Sequence, residues 1–129
     1  MKAAVVIARI LLGLVFVVFG SNMIVPWMHA PMPPGDAGAL MVLLFTHKWL
    51  WFYGLVETAA GLMLLFGRFV PLALTLLAGM LVNILLFHIT MNPSGIGPGL
   101  VCGALESFLV YAYRDSFAGI FSANAKPAV

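Results

Sequence analysis

Two carboxylates and one guanidinium lie inside segments that are otherwise apolar: Glu57 within residues 50–66, Glu106 within the last apolar segment and Arg9 within the first. A charge near the middle of a membrane-length helix costs roughly 2.5–3.5 kcal/mol on insertion scales. Such groups must compensate one another or serve a purpose. Arg9 stands seven residues from Lys2, Glu106 eight from Arg114 and Glu57 eleven from Arg68. If those outer cations mark one membrane surface, a rise of ~1.5 Å per residue puts the three inner groups within about one helical turn of depth. An Arg9, Glu57 and Glu106 cluster is therefore expected. One guanidinium against two carboxylates leaves an excess negative charge, which a proton, a proton donor or a cation must offset. Two readings follow from the residues: a proton-linked or polar-ligand site, or a hydrogen-bonded cluster that locks helix register.

Other groups widen the choice. His88 falls at the outer end of the third long apolar segment, where an imidazole can hydrogen-bond an amphipathic headgroup, relay a proton or simply sit at the interface. Asn83 lies about one turn deeper and, like Asn22, is expected to hydrogen-bond between helices. No HxxH or HxxxH spacing joins His29, His47 and His88 into a metal site, so no metal ligands are expected. The eight methionines read as packing filler, and Cys102, the only cysteine, as a small apolar residue with no partner for a disulfide or a CxxC pair. Neither a nucleophile–base pair nor a phosphate loop is visible. Stand-alone catalysis is not expected.

The elements that carry these groups follow from composition and punctuation. Of 129 residues, 64% are hydrophobic and 8% charged, and the mean hydropathy is +1.13. An average soluble domain has about 25% charged residues, and a core of this size cannot hide so much apolar surface from water. Lipid is the expected solvent, and the small net charge of +2, without a basic stripe interleaved with aromatics, excludes a nucleic-acid binder. The expected architecture is an all-α membrane protein, a four-transmembrane-helix bundle with spans at about 3–27, 49–66, 70–89 and 100–114. The first apolar run is too long for a signal peptide and lacks an A-x-A site, so it reads as a retained helix. The external loop 28–48 begins with a Pro/Gly cluster that forbids a helix. Within it, Asp36 is expected to cap a short apolar helix over 37–45, interfacial or re-entrant because it is too brief to cross a ~30 Å hydrocarbon core. Trp49, Trp51 and Tyr53 anchor the second span, Pro71 opens the third, residues 90–99 read as a surface loop, and the tail from about 120 to 129 is expected to be disordered.

Glycines share faces with the polar groups: Gly13 and Gly20 with Arg9, Gly54 and Gly61 with Glu57, Gly79 with Asn83, and Gly103 with Glu106. Small residues allow close helix approach in lipid, so all four polar stripes are expected to face the bundle interior. Lys2, Arg68, Arg114 and Lys126 against Lys48 alone places both termini in the cytoplasm by the positive-inside rule.

With the motifs ARILLGLVFVVFGSN, GLVETAAGLMLLFGRFVPLA and GALESFLVYAY in this order, the chain resembles the DoxX-like family of small four-helix membrane proteins. The resemblance implies a bundle in a bacterial-type inner (cytoplasmic) membrane, with both termini inside. It also implies kinship with small subunits of quinone-linked oxidation complexes and with membrane partners of redox-defence enzymes. The long proline-rich first external loop departs from that pattern. The fold expected is also similar to that of vitamin K epoxide reductases, whose cysteine pairs this chain lacks. The leading expectation is thus a non-catalytic subunit of a membrane redox system that touches a quinone or lipid-like ligand through Arg9, Glu57, Asn83, His88 and Glu106. No covalently bound cofactor is expected. Its partners would be the bilayer and other membrane subunits, with homo-oligomerisation open. The alternative from another class is a structural or assembly subunit, and a small-substrate transporter is disfavoured because four short spans without an inverted repeat leave little room for alternating access.

Overall fold

The computed structural model describes residues 1–129, and all of its regular structure is helical, with no strand. The first helix, α1 (Lys2–Ile24), stops short of the expected limit at 27 because Pro26 forces the residue before it out of the helical region: Val25 is extended at φ −126°, ψ 102°. The exit is then tied locally. Asn22 Oδ1 accepts the backbone N–H of Trp27 at 2.9 Å and of Met28 at 2.7 Å, and the Trp27 indole donates to Ser21 Oγ at 3.1 Å. Asn22 therefore holds the turn after its own helix rather than bridging to another.

The helix α2 (Gly35–Thr46) starts after Pro34. Asp36 lies inside its first turn without making a side-chain cap, so it acts through the helix dipole and not as the N-cap expected from the sequence. Lys48, in the left-handed region at φ 67°, turns the chain into α3 (Trp49–Phe66). The end of α3 is a glycine stop: Gly67 adopts φ 66°, its N–H reaches Leu64 O and the Arg68 N–H reaches Met63 O. That pair of bonds satisfies the last carbonyls, and only glycine adopts the required φ without strain. The helix α4 (Val70–Met91) begins at once with Pro71 in its first turn. The expected loop at 90–99 is largely helical instead. It consists of the end of α4, a 3-10 turn at Pro93–Gly95, and the start of α5 (Gly97–Ala112). Pro98 lies in the first turn of α5, where its missing N–H costs nothing. Beyond α5 the 3-10 segment Arg114–Phe121 folds back so that Phe117 joins the core, which shortens the expected unstructured tail to the residues after Phe121.

Three helices, α1, α3 and α4, are long and apolar enough to cross a membrane, while α2 and α5 are apolar but shorter. The outward surface supports the same solvent. Leu11, Leu14, Leu55, Leu62, Leu72, Val82, Leu86 and Val101 are exposed, and two buried carboxyls lie inside, the reverse of a water-soluble domain. The chain thus has the character of a membrane protein.

Helices α1, α3, α4 and α5 form a closed ring, each packed on the next and α5 back on α1, with α2 resting on α3 and α4. Leu12, Leu64, Leu74, Leu77 and Leu109 are fully buried at its centre. The seam between α1 and α3 is built on reciprocal glycines. A Cβ on Gly61 would stand 2.8 Å from Gly13 O, and one on Gly13 would stand 2.9 Å from Gly61 O. The Gly79 stripe is different: a Cβ there would meet nothing within 4 Å, and Asn83 is exposed, its amide bonded only to Gly79 O at 3.0 Å. This face of α4 does not point into the ring, contrary to the expectation from spacing. Gly79→Ala is accordingly expected to leave the melting temperature in detergent unchanged or slightly raised, since alanine is the better helix former; a clear loss of stability would mean that something covers this face.

Candidate functional site

The ring does not close tightly at one end. Between α1, α3, α4 and α5, and beneath α2, lies a cavity of about 470 Å³. Its walls are apolar: Phe16, Phe19 and Met23 from α1, Leu40, Met41 and Leu44 from α2, and Leu81, Ile84 and Phe87 from α4. Three hydrogen-bonding side chains, Tyr53, Glu57 and His88, enter it, the exposed Asn83 stands at its rim, and the Cys102 thiol lines it from α5.

Each is placed by a local cause. Glu57 is 1% exposed and its Cβ lies close enough to α1 that a Cβ on Gly20 would stand 3.0 Å from it. The glycine seam therefore sets how far the carboxyl projects into the cavity. Tyr53 lies one turn earlier on the same face of α3, its ring braced edge-on by Trp49 at 6.1 Å. The His88 Nδ1 is 3.2 Å from Ile84 O. A carbonyl can only accept, so Nδ1 carries the hydrogen and Nε2 of the neutral ring is an acceptor. That nitrogen faces the 3-10 turn, where a Cβ on Gly95 would be 3.2 Å away. Asn83 donates to Gly79 O, which leaves its Oδ1 as an acceptor at the cavity rim.

Of the five residues expected from the sequence, the structure brings Glu57, Asn83 and His88 to this one cavity and leaves Arg9 and Glu106 outside it. Arg9 turns away from Glu57. Its guanidinium lies against Gly67 at the C-terminal end of α3, so that any side chain at Gly67 would run into Nη1. A long, flexible cation reaches the negative end of a helix dipole and the nearby headgroup level more readily than a deep carboxylate. Its Nε has no hydrogen-bond partner, and neither does either oxygen of Glu106, which is 6% exposed between Cys102 and Leu109 on the inner face of α5. The expected three-residue cluster is therefore not a bonded network.

Two contributors were missed in the sequence. Tyr53 reads as an interfacial anchor, yet its i, i+4 relation to Glu57 is the signal that could have placed it on the same face. The α2 wall had no such signal, because its position depends on how the proline-rich segment folds back.

As chemistry, the cavity offers one carboxyl, one phenol and two nitrogen- or oxygen-based acceptors within an apolar chamber. This composition, mostly hydrophobic with a few converging polar groups, is that of small-molecule sites, and its volume is within their usual range of about 300–1,000 Å³. The groups can hydrogen-bond the polar head of an amphipathic molecule whose body occupies the apolar walls. No protein-family model, curated protein or solved structure matches this chain.

Proposed function

We propose that the chain is a small integral membrane subunit, associated with a membrane redox system, whose cavity binds a quinone or a lipid-like ligand. In this reading α1, α3, α4 and α5 cross a bacterial-type inner membrane. At ~1.5 Å per residue α5 is about 24 Å long, and the flanking 3-10 turns complete its passage. The helix α2, about 18 Å by the same rise, lies at the outer interface as the roof of the cavity. The cluster of Lys2, Arg68, Arg114 and Lys126 puts both termini on the cytoplasmic side. The resemblance to the DoxX-like family in the three motifs above accords with this arrangement.

The observation that carries the proposal is the apolar cavity with Glu57 set into it and Tyr53, Asn83 and His88 around it. The two carbonyls of a quinone only accept and the two hydroxyls of its quinol can donate, and this set can serve both forms: Tyr53 as donor to the quinone, His88 Nε2 and Asn83 Oδ1 as acceptors for the quinol, and Glu57 as either according to its proton. The rival reading, a scaffold whose charged groups lock helix register, needs those groups hydrogen-bonded across helices. Glu106 and the Arg9 Nε have no such bonds.

The test uses a short-chain ubiquinone as probe and quenching of the chain's own tryptophans as readout. Saturable quenching is expected, weakened roughly fivefold in Glu57→Leu and in Tyr53→Phe, since each variant removes a donor to a quinone carbonyl and such a hydrogen bond contributes about 0.5–1.5 kcal/mol. Unsaturable quenching, or equal affinity in all three proteins, overturns the assignment. Purification from native membranes in gentle detergent, with mass spectrometry of retained proteins and small molecules, tests the partner: oxidoreductase subunits with a stoichiometric quinone are expected.

A further inference from the structure

A second recess lies at the other end of the molecule, where the start of α1 meets the end of α5. It has a volume of about 450 Å³ and includes Lys2, Val5 and Val6 on one side and Tyr111, Tyr113 and Arg114 on the other. Both of its charged side chains are cationic, and Asp115, the next residue in the chain, does not line it. Arg114 is held in position: its guanidinium carbon stands 4.5 Å over the Tyr111 ring, and its Nη1 donates to Tyr111 O at 3.0 Å. The remaining guanidinium hydrogens stay free for a ligand. Lys2 and Arg114 are both exposed, so their charges are available. Below them Val5 and the half-exposed Val6 give the recess an apolar floor.

We propose that this recess binds an anionic phospholipid, with Lys2 and Arg114 on the phosphate and Val5 and Val6 under the first part of an acyl chain. The inference rests on the membrane-spanning reading, which sets both cations at the headgroup level of one leaflet. Two cations, one of them held in place, without a carboxylate between them select a phosphate-bearing headgroup that lacks its own compensating ammonium. The apolar floor selects a phosphate that carries a chain. A free phosphate ion shares the first property and not the second, and basic recesses between spanning helices on the cytoplasmic side are a known mode of anionic-lipid recognition.

The full chain in nanodiscs of equal phosphatidylglycerol and phosphatidylcholine, followed by native mass spectrometry of the lipids retained in mild detergent, provides the test. Each basic residue near an anionic lipid contributes about a fivefold preference, so the two together are expected to favour phosphatidylglycerol roughly 30-fold. The double variant Lys2→Gln with Arg114→Gln should bring the ratio close to one, and Lys126→Gln, outside the recess, should not change it. Val6→Trp fills the apolar floor and leaves both charges, so it should lower lipid retention while ³¹P NMR shows free inorganic phosphate binding as weakly as to the parent chain. Equal retention of the two lipids by the parent, undiminished phosphatidylglycerol in the double variant, or free phosphate bound as tightly as the lipid overturns the proposal. If the double variant loses its helical circular dichroism, the parent's selectivity and the Val6→Trp result decide the matter. Extraction of native membranes holding the chain with alkaline carbonate tests the underlying reading by itself: release of the chain would refute the spanning arrangement whatever the lipid counts show.

Discussion

Gly54→Leu is expected to take the α1–α3 pair apart. A Cβ at Gly54 would stand 2.5 Å from the carbonyl oxygen of Gly20, with Ile24 Cγ1 at 2.9 Å and Met23 Cβ at 3.0 Å. The first of these is backbone and cannot swing aside as a flexible side chain can, so the helices must separate at this level. Overpacking a core whose side chains can adjust costs about 1–3 kcal/mol, and here the obstacle puts the cost at the top of that range or above it. The seam is the means by which Glu57, less than one turn further along α3, is presented to the cavity. Ligand binding should therefore fall together with stability. Thermal unfolding in detergent, followed by circular dichroism and by size-exclusion profile, checks the expectation, and Gly61→Leu should behave alike because its Cβ would meet the Gly13 carbonyl. An unchanged melting temperature in both variants would show that α1 and α3 stand further apart than described.

Glu106→Leu is expected to act in the opposite direction and stabilise the protein. The carboxyl is 6% exposed, flanked on its own helix face by the core residues Cys102 and Leu109, and neither of its oxygens has a hydrogen-bond partner. An unsatisfied buried polar group costs about 1–3 kcal/mol. Leucine, close to glutamate in volume, removes that cost and adds apolar contact. Glu106→Gln keeps the shape and the unmet polarity and should give little gain. Unfolding titrations in mixed micelles resolve the two variants. Destabilisation by leucine would reveal a partner for the carboxyl, a bound water or cation, that the helices themselves do not supply. A stabilising result would mark Glu106 as a group kept at the expense of stability, which is where function rather than packing sets the residue. The contrast with Glu57 is instructive: both carboxyls are buried, but only Glu57 lines the cavity, so its substitution is read in ligand affinity.

The sequence by itself determined the helical class, the apolar solvent, the limits of most helices and the glycine faces of α1 and α3. These properties are local. Composition decides the solvent, Pro26, Pro71 and Gly67 punctuate the chain through their own backbone restrictions, and glycines three, four and seven residues apart must share a helix face. The membership of Glu57 in a buried site was legible for the same reason, since Gly54 and Gly61 flank it. The tertiary structure alone decided which polar groups meet. A helix that is apolar on all sides carries no hydrophobic stripe to set its rotation, so the spacing of Gly79 and Asn83 could not tell an inward face from an outward one. The match in depth expected from the sequence did not bring Arg9 to Glu57, because a flexible guanidinium several ångströms long reaches the nearby end of α3. Nor could the sequence show that α2 folds back over the cavity, or that Tyr53 joins Glu57 there while Glu106 stays behind it. Those outcomes depend on contacts between elements distant in the chain, and these exist only once the helices have packed.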